Sequence, residues 1–68
     1  MSLNWESTYE VAIELHRTHP EVDLHEVTLG TVYDWIVALP EFRDDPSLCN
    51  DEILESICQE WYEVTIND

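Results

Sequence analysis

Six carboxylates fall in one short stretch of the chain: Glu41, Asp44, Asp45, Asp51, Glu52 and Glu55. Carboxylate oxygens are hard ligands that suit iron, magnesium, calcium or manganese. Several of them on one loop and one helix turn could hold a cation, with water completing its shell. Such a site would be shallow and weak, because no thiolate or converging imidazole tightens it. The spacing is not that of an EF-hand, which needs alternating ligands and a central Gly. The same side chains have a plainer use as well. Asp51, Glu52 and Glu55 crowd a predicted helix start, where the dipole favours negative charge, and surface acids keep a protein soluble. Composition leaves both uses open.

The remaining reactive residue types are sparse. Glu10 and Glu14 lie one helical turn apart and repel unless a cation stands between them; Arg17 can pair with Glu14, and a solvated face is the simpler reading. His16 and His19 form a His-x-x-His pair that could join a transition-metal site if further ligands converged. Their place near a helix C-terminus, where cations complement the dipole, is the plainer account of them and the one favoured over a metal role. His25 stands alone and is expected to be exposed. Cys49 and Cys58 form no Cys-x-x-Cys motif, so a tetrahedral zinc site lacks ligands. Cys58 falls on an apolar stripe and should pack as a small hydrophobe, while acids around Cys49 oppose a thiolate. Acid–base catalysis needs two carboxyls in contrasting environments around a pocket, and nothing specific of that kind is present. The expectation is a protein that is not an enzyme.

These residues sit in a chain of 68 residues with sixteen Asp and Glu against two Lys and Arg, a formal net charge of -14. Acidic disordered tails lack apolar residues, whereas 44% of this chain is hydrophobic and three residues are Trp. The chain therefore reads as one folded domain, residues 1–68, too short for two cores or a deep substrate cavity. Self-repulsion on this scale costs stability, which suggests a cationic partner: a metal ion or a basic protein surface. Nucleic acid and anionic membranes are disfavoured, since binding them needs Lys and Arg. The opening residues carry no basic n-region or apolar run, no segment approaches a spanning helix, and two lone cysteines suit free thiols. A cytoplasmic monomer is the expectation.

Periodicity divides the chain at Pro20, Pro40 and Pro46. Ser7 and Glu10 spell a capping box for a first helix over Thr8 to Thr18, with Val11, Ala12, Leu15 and Thr18 on its apolar stripe. Trp5 should fold back onto the core. A helical turn is expected at Leu24 to Val27, capped by Asp23 and pinned by Val27 and Leu29. The second helix should span Thr31 to Leu39 from a Gly30 cap, burying Val32, Trp35, Ile36 and Leu39. Phe42 anchors the following loop. Asn50 caps a third helix, Asp51 to Val64, whose stripe is Ile53, Leu54, Ile57, Cys58, Trp61 and Val64; the last residues, 65–68, read as a frayed tail. The fold class is all-α, three helices plus a short helical turn, in a helix-turn-helix-like arrangement. A DNA-reading role is excluded, because the third helix presents carboxylates where Arg and Lys would be needed.

The chain also resembles a known family. The segment DDPSLCNDEILESICQEW is similar to the corresponding segment of IscX, a small acidic accessory protein of bacterial iron–sulfur cluster assembly. Asp44, Asp45, Pro46, Asn50, Ile53, Leu54, Glu55, Ile57 and Trp61 match it position by position. Trp5, Glu10, Leu15, Pro20, Asp23, Val27, Trp35, Leu39 and Phe42 match elsewhere, so the likeness runs without gaps from Leu3 to about Glu63. The resemblance implies a winged-helix-like domain without DNA binding. It further implies association with the cysteine desulfurase IscS, a docking region shared with bacterial frataxin, weak binding of iron (Fe2+ or Fe3+) by surface carboxylates, and modulation of sulfur delivery. Leu24, Thr28, Gly30, Cys49 and Glu52 depart from the usual pattern; Gly30 replaces a Thr expected to cap the second helix, and Glu52 replaces a common Lys.

The combined expectation is an adaptor. Glu41, Asp44, Asp45, Asp51, Glu52 and Glu55 are the candidate iron ligands. Glu10, Glu14, Asp44, Asp45 and Glu55 are the candidates for docking a basic surface of an IscS-type desulfurase. The rival expectation is a metal-independent acidic interaction domain, for example a nucleic-acid mimic.

Overall fold

The computed structural model describes residues 2–67. Ser7 opens the first helix, α1, at Thr8–Thr18 as the sequence predicts, but the capping box does not form. Ser7 has ψ near 53° rather than the extended conformation of a capping residue, and its side chain caps nothing. Asn4 organises this turn instead. Its Oδ1 accepts from the N–H of Glu6 at 2.8 Å and of Ser7 at 3.1 Å, and from the Ser7 hydroxyl at 3.3 Å. A Ser7 hydroxyl turned towards Asn4 is not available to the helix.

The connection from residue 19 to residue 28 contains the expected turn. The Asp23 carboxylate accepts the His25 N–H at 2.9 Å, and its carbonyl accepts from Glu26 and Val27. Val22, Leu24, Val27 and Leu29 lie half-buried against the core. The second helix, α2, spans Leu29–Val37 and so begins and ends two residues earlier than predicted. Thr28 is its cap: extended, with Oγ1 accepting the Thr31 N–H at 3.2 Å and its carbonyl accepting from Val32. Gly30 is a helical residue with no positive φ, and a methyl group built on it would meet only Thr28 Oγ1, at 3.9 Å. Gly30→Ala should therefore raise stability by about 0.5 kcal/mol by removing backbone freedom from the unfolded chain. A higher urea midpoint at unchanged m-value would bear this out; a lower one would show that position 30 needs glycine.

A short 3-10 turn, Pro46–Leu48, leads into the third helix, α3, at Asp51–Asn67. Asn50 caps α3 as expected, its Oδ1 accepting the Ile53 N–H at 2.8 Å. The helix continues past Val64 because no Pro or Gly interrupts residues 65–67. The predicted fraying is thus absent at residues 65–67, and Asp68 lies outside the described residues.

The apolar stripes meet as the 3.6-residue period requires. Val11, Ala12 and Leu15 of α1 face Leu54, Ile57 and Trp61 of α3, and Val32 and Ile36 of α2 with Leu39 close the third side. The longest interface is that between α1 and α3. Thr18 is not part of this core. It is exposed, with its hydroxyl bonded to the Glu14 carbonyl at 2.9 Å. Trp35 is half-buried, set edge-on to Trp61 at 6.2 Å and stacked on His19 at 4.0 Å. Trp5 folds back as predicted, with Tyr33 stacked at 6.0 Å and Phe42 edge-on at 4.6 Å. The all-α reading holds. Strand-like pairing among the described residues is limited to one parallel bridge, between Leu3 and Phe42.

Candidate functional site

No Asp or Glu among the described residues is buried, so every described carboxylate reaches the surface. The fold distributes the predicted site residues into three sets.

The first set is on α1. Glu10 and Glu14 sit one turn apart and border a shallow groove with Glu41, whose apolar wall is Leu3 and Ile13. Arg17 donates from Nη2 to Glu14 Oε2 at 2.6 Å. That hydrogen bond, and then the Glu14 charge, raise the pKa of the guanidinium, with Glu41 adding a smaller push in the same direction. Glu41 thus keeps company with the predicted docking residues rather than with the other predicted iron ligands. Sequence spacing gave no sign of this, because it depends on residues 3 and 41 being brought together.

The second set is Asp44 and Asp45. Asp44 Oδ1 accepts the Asp45 N–H at 2.7 Å, and Oδ2 accepts the Trp5 N–H at 3.1 Å. Asp45 Oδ1 accepts both the Ser47 N–H at 2.9 Å and the Ser47 hydroxyl at 2.8 Å, which caps the 3-10 turn. The Asp45 carbonyl accepts the Trp5 indole N–H at 2.8 Å. The signal for the cap was present in the chain: Asp-Pro-Ser favours turn initiation with an Asx-type bond two residues on.

The Ser47 backbone N–H, and then its hydroxyl, hold the Asp45 carboxyl below the usual aspartate range. A carboxyl depressed on folding contributes stability above its unfolded pKa of about 3.9 and loses that contribution as pH falls through the folded value. The stability gap between wild type and Asp45→Asn should therefore narrow as thermal melts are taken from pH 5 downwards. A gap that stays constant would mean that the charge on Asp45 does not matter to the turn.

The third set is Asp51, Glu52 and Glu55 in the first turns of α3. They are exposed. Glu55 borders a groove with Leu24, His25, Leu29, Cys58 and Tyr62, and His25 meets Tyr62 edge-on at 6.0 Å. Burial, and then Glu55, push the Cys58 thiol up; burial, and then Asp51, do the same to Cys49. Both cysteines are free thiols, and both are poorer nucleophiles for these surroundings. His16 and His19 fall in no group of three possible ligands among the described residues, and His19 is stacked on Trp35 at the end of α1. Among the described residues, no three His, Cys, Asp or Glu are grouped closely enough to hold a metal ion. No described helix is long and apolar enough to cross a membrane.

Three short helices, a tryptophan-rich core and described carboxylates none of which is buried define a small acidic helical domain. The chain belongs to the family described as Iron-sulphur cluster assembly, the IscX family, whose pattern it matches over residues 3–65. It is also similar to an uncharacterized protein of Pseudomonas aeruginosa. The two are 43% identical over 63 residues, covering 93% of this chain and 96% of that protein.

Proposed function

We propose that this domain is a cytoplasmic, non-enzymatic accessory protein of iron–sulfur cluster assembly. It docks through its acidic surface on a basic face of an IscS-type cysteine desulfurase, binds iron weakly as cargo, and so regulates sulfur and iron delivery. The observation that carries this reading is the excess of acid, sixteen carboxylates against two basic side chains, none of the described ones buried, in a chain of the iron–sulphur assembly family. An excess of this kind steers encounters with a basic protein and makes them salt-sensitive.

Glu10, Glu14 and Glu41 supply the docking surface on and beside α1. One or two carboxylates at a time from Asp51, Glu52 and Glu55 supply hard oxygen donors for iron, with water filling most of the shell, which keeps the binding weak. Iron and desulfurase would influence each other where their surfaces meet, and bacterial frataxin would compete for the enzyme.

Recovery of this protein on immobilised desulfurase should fall steeply between about 0.05 M and about 0.5 M salt. Equal recovery at both would contradict electrostatic docking. Fe(II) added to 15N-labelled protein should shift amide signals between Asp51 and Glu55. Shifts confined to other parts of the chain would remove those residues from the iron site.

A further inference from the structure

Asp44-Asp45 is the one pair of adjacent acids in the loop, and cation binding is the first use its composition suggests. The hydrogen bonds give the pair a different task. Residues 3–5 lie along residues 41–45. Leu3 donates its N–H to the Glu41 carbonyl at 2.8 Å, and Arg43 donates its N–H to the Leu3 carbonyl at 2.8 Å. Trp5 then donates twice, from its backbone to the Asp44 carboxylate and from its indole to the Asp45 carbonyl. Leu3 and Trp5 are each only 4% exposed, so this N-terminal strap seals one end of the core. Both bonds from Trp5 span about forty positions of the chain, 39 and 40.

We propose that Asp44 and Asp45 are a latch that locks this strap over the core, and that they are not ligands for a cation. Each Asp44 oxygen already accepts one backbone N–H, and one of those donors belongs to the strap. The Asp45 oxygen that is engaged takes two donors from Ser47, which turns its carboxylate towards the 3-10 turn and presents its carbonyl to Trp5. Each Asp44 oxygen keeps a second lone pair, but a cation placed there would withdraw charge from the oxygen that holds the Trp5 N–H and weaken a charge-assisted bond, so ligation would work against the seal. A hydrogen bond from a backbone N–H to a carboxylate is charge-assisted and stronger than a neutral one, which explains an aspartate rather than an asparagine here. The latch does not depend on the proposed iron or desulfurase binding, since every contact in it lies within the chain.

Hydrogen exchange at the Trp5 indole, assigned with Trp5→Phe, tests the latch. In Asp44→Ala the Trp5 indole and the Arg43 amide should exchange about tenfold faster or more, while the Trp61 indole keeps its protection. The apparent affinity for Fe(II) should stay within about twofold of wild type. Unchanged exchange at Trp5 overturns the proposal, whether or not the wild-type protein binds iron. So does a loss of Fe(II) affinity of about tenfold in Asp44→Ala that Trp5→Phe, with the strap loosened and both carboxylates intact, does not share. Should Asp44→Ala fail to fold, Asp44→Asn keeps the shape and one neutral acceptor, and the same two measurements are read on it.

Discussion

Trp61→Ala should remove about 3–5 kcal/mol of the protein's stability, the largest loss expected from any single truncation. Trp61 is 1% exposed and heads the fully buried side chains in size. It stands where the α3 stripe meets α1, with its ring against Trp35, which in turn stacks on His19. Truncating a buried aromatic ring to alanine costs about 3–5 kcal/mol, part lost transfer free energy and part cavity. A domain of this length holds only about 3–10 kcal/mol in total. A single truncation therefore removes a third or more of the stability. A urea titration followed by far-ultraviolet circular dichroism measures the loss. Trp61→Phe keeps most of the apolar volume and should fall between the two. If the alanine variant lost less than about 1 kcal/mol, the packing of α3 on α1 would not be what holds the chain together.

The second large effect concerns charge. Raising sodium chloride from about 0.01 M to about 1 M should raise the melting temperature by about 10 °C. The Debye length falls from about 30 Å to about 3 Å over that range. The molecule measures 29 × 24 × 16 Å, so at low salt each carboxylate acts on nearly every other, and at high salt only on its neighbours. Folding concentrates a net charge of -14, and relief of that repulsion contributes about 1–2 kcal/mol. In a domain of this size each kcal/mol moves the midpoint by about 4–8 °C. Most proteins of balanced charge lack this response. A flat profile would mean that the unfolded chain repels itself as strongly as the folded one.

Most of the architecture could be read from periodicity, because each helix carries a stripe strong enough to dominate its neighbours. Asn50 and Asp23 were also legible, since a short polar side chain before an apolar run has one obvious local partner. The errors came where two local signals competed. Gly30 looks like a loop residue and a weak cap, but Thr28 in extended backbone is the better acceptor, and Leu29 packs on the core from the helix's first position. Ser7 looked like a cap, but Asn4 claimed its hydroxyl. Residues 65–67 are exposed and suit a frayed tail, but nothing in them stops a helix.

The candidate site was legible only as a list of acids. Which acids face which partners depends on residues far apart in the chain. Glu41 joins Glu10 and Glu14 because residue 3 lies beside residue 41. Asp44 and Asp45 turn towards Trp5 across about forty positions. No spacing rule reaches that far. The same reach hides the stacking of His19 on Trp35, which no local spacing signals.

The strap has one more consequence, for the chain while it is being made. Ribosomes add roughly 5–20 residues per second, so several seconds separate the emergence of Leu3 and Trp5 from that of the residues that will cover them. During that interval two large apolar side chains have nowhere to hide. The carboxylates that appear around them, from Glu6 and Glu10 onwards, give growing chains a common sign and keep neighbours on one message apart until the seal can close.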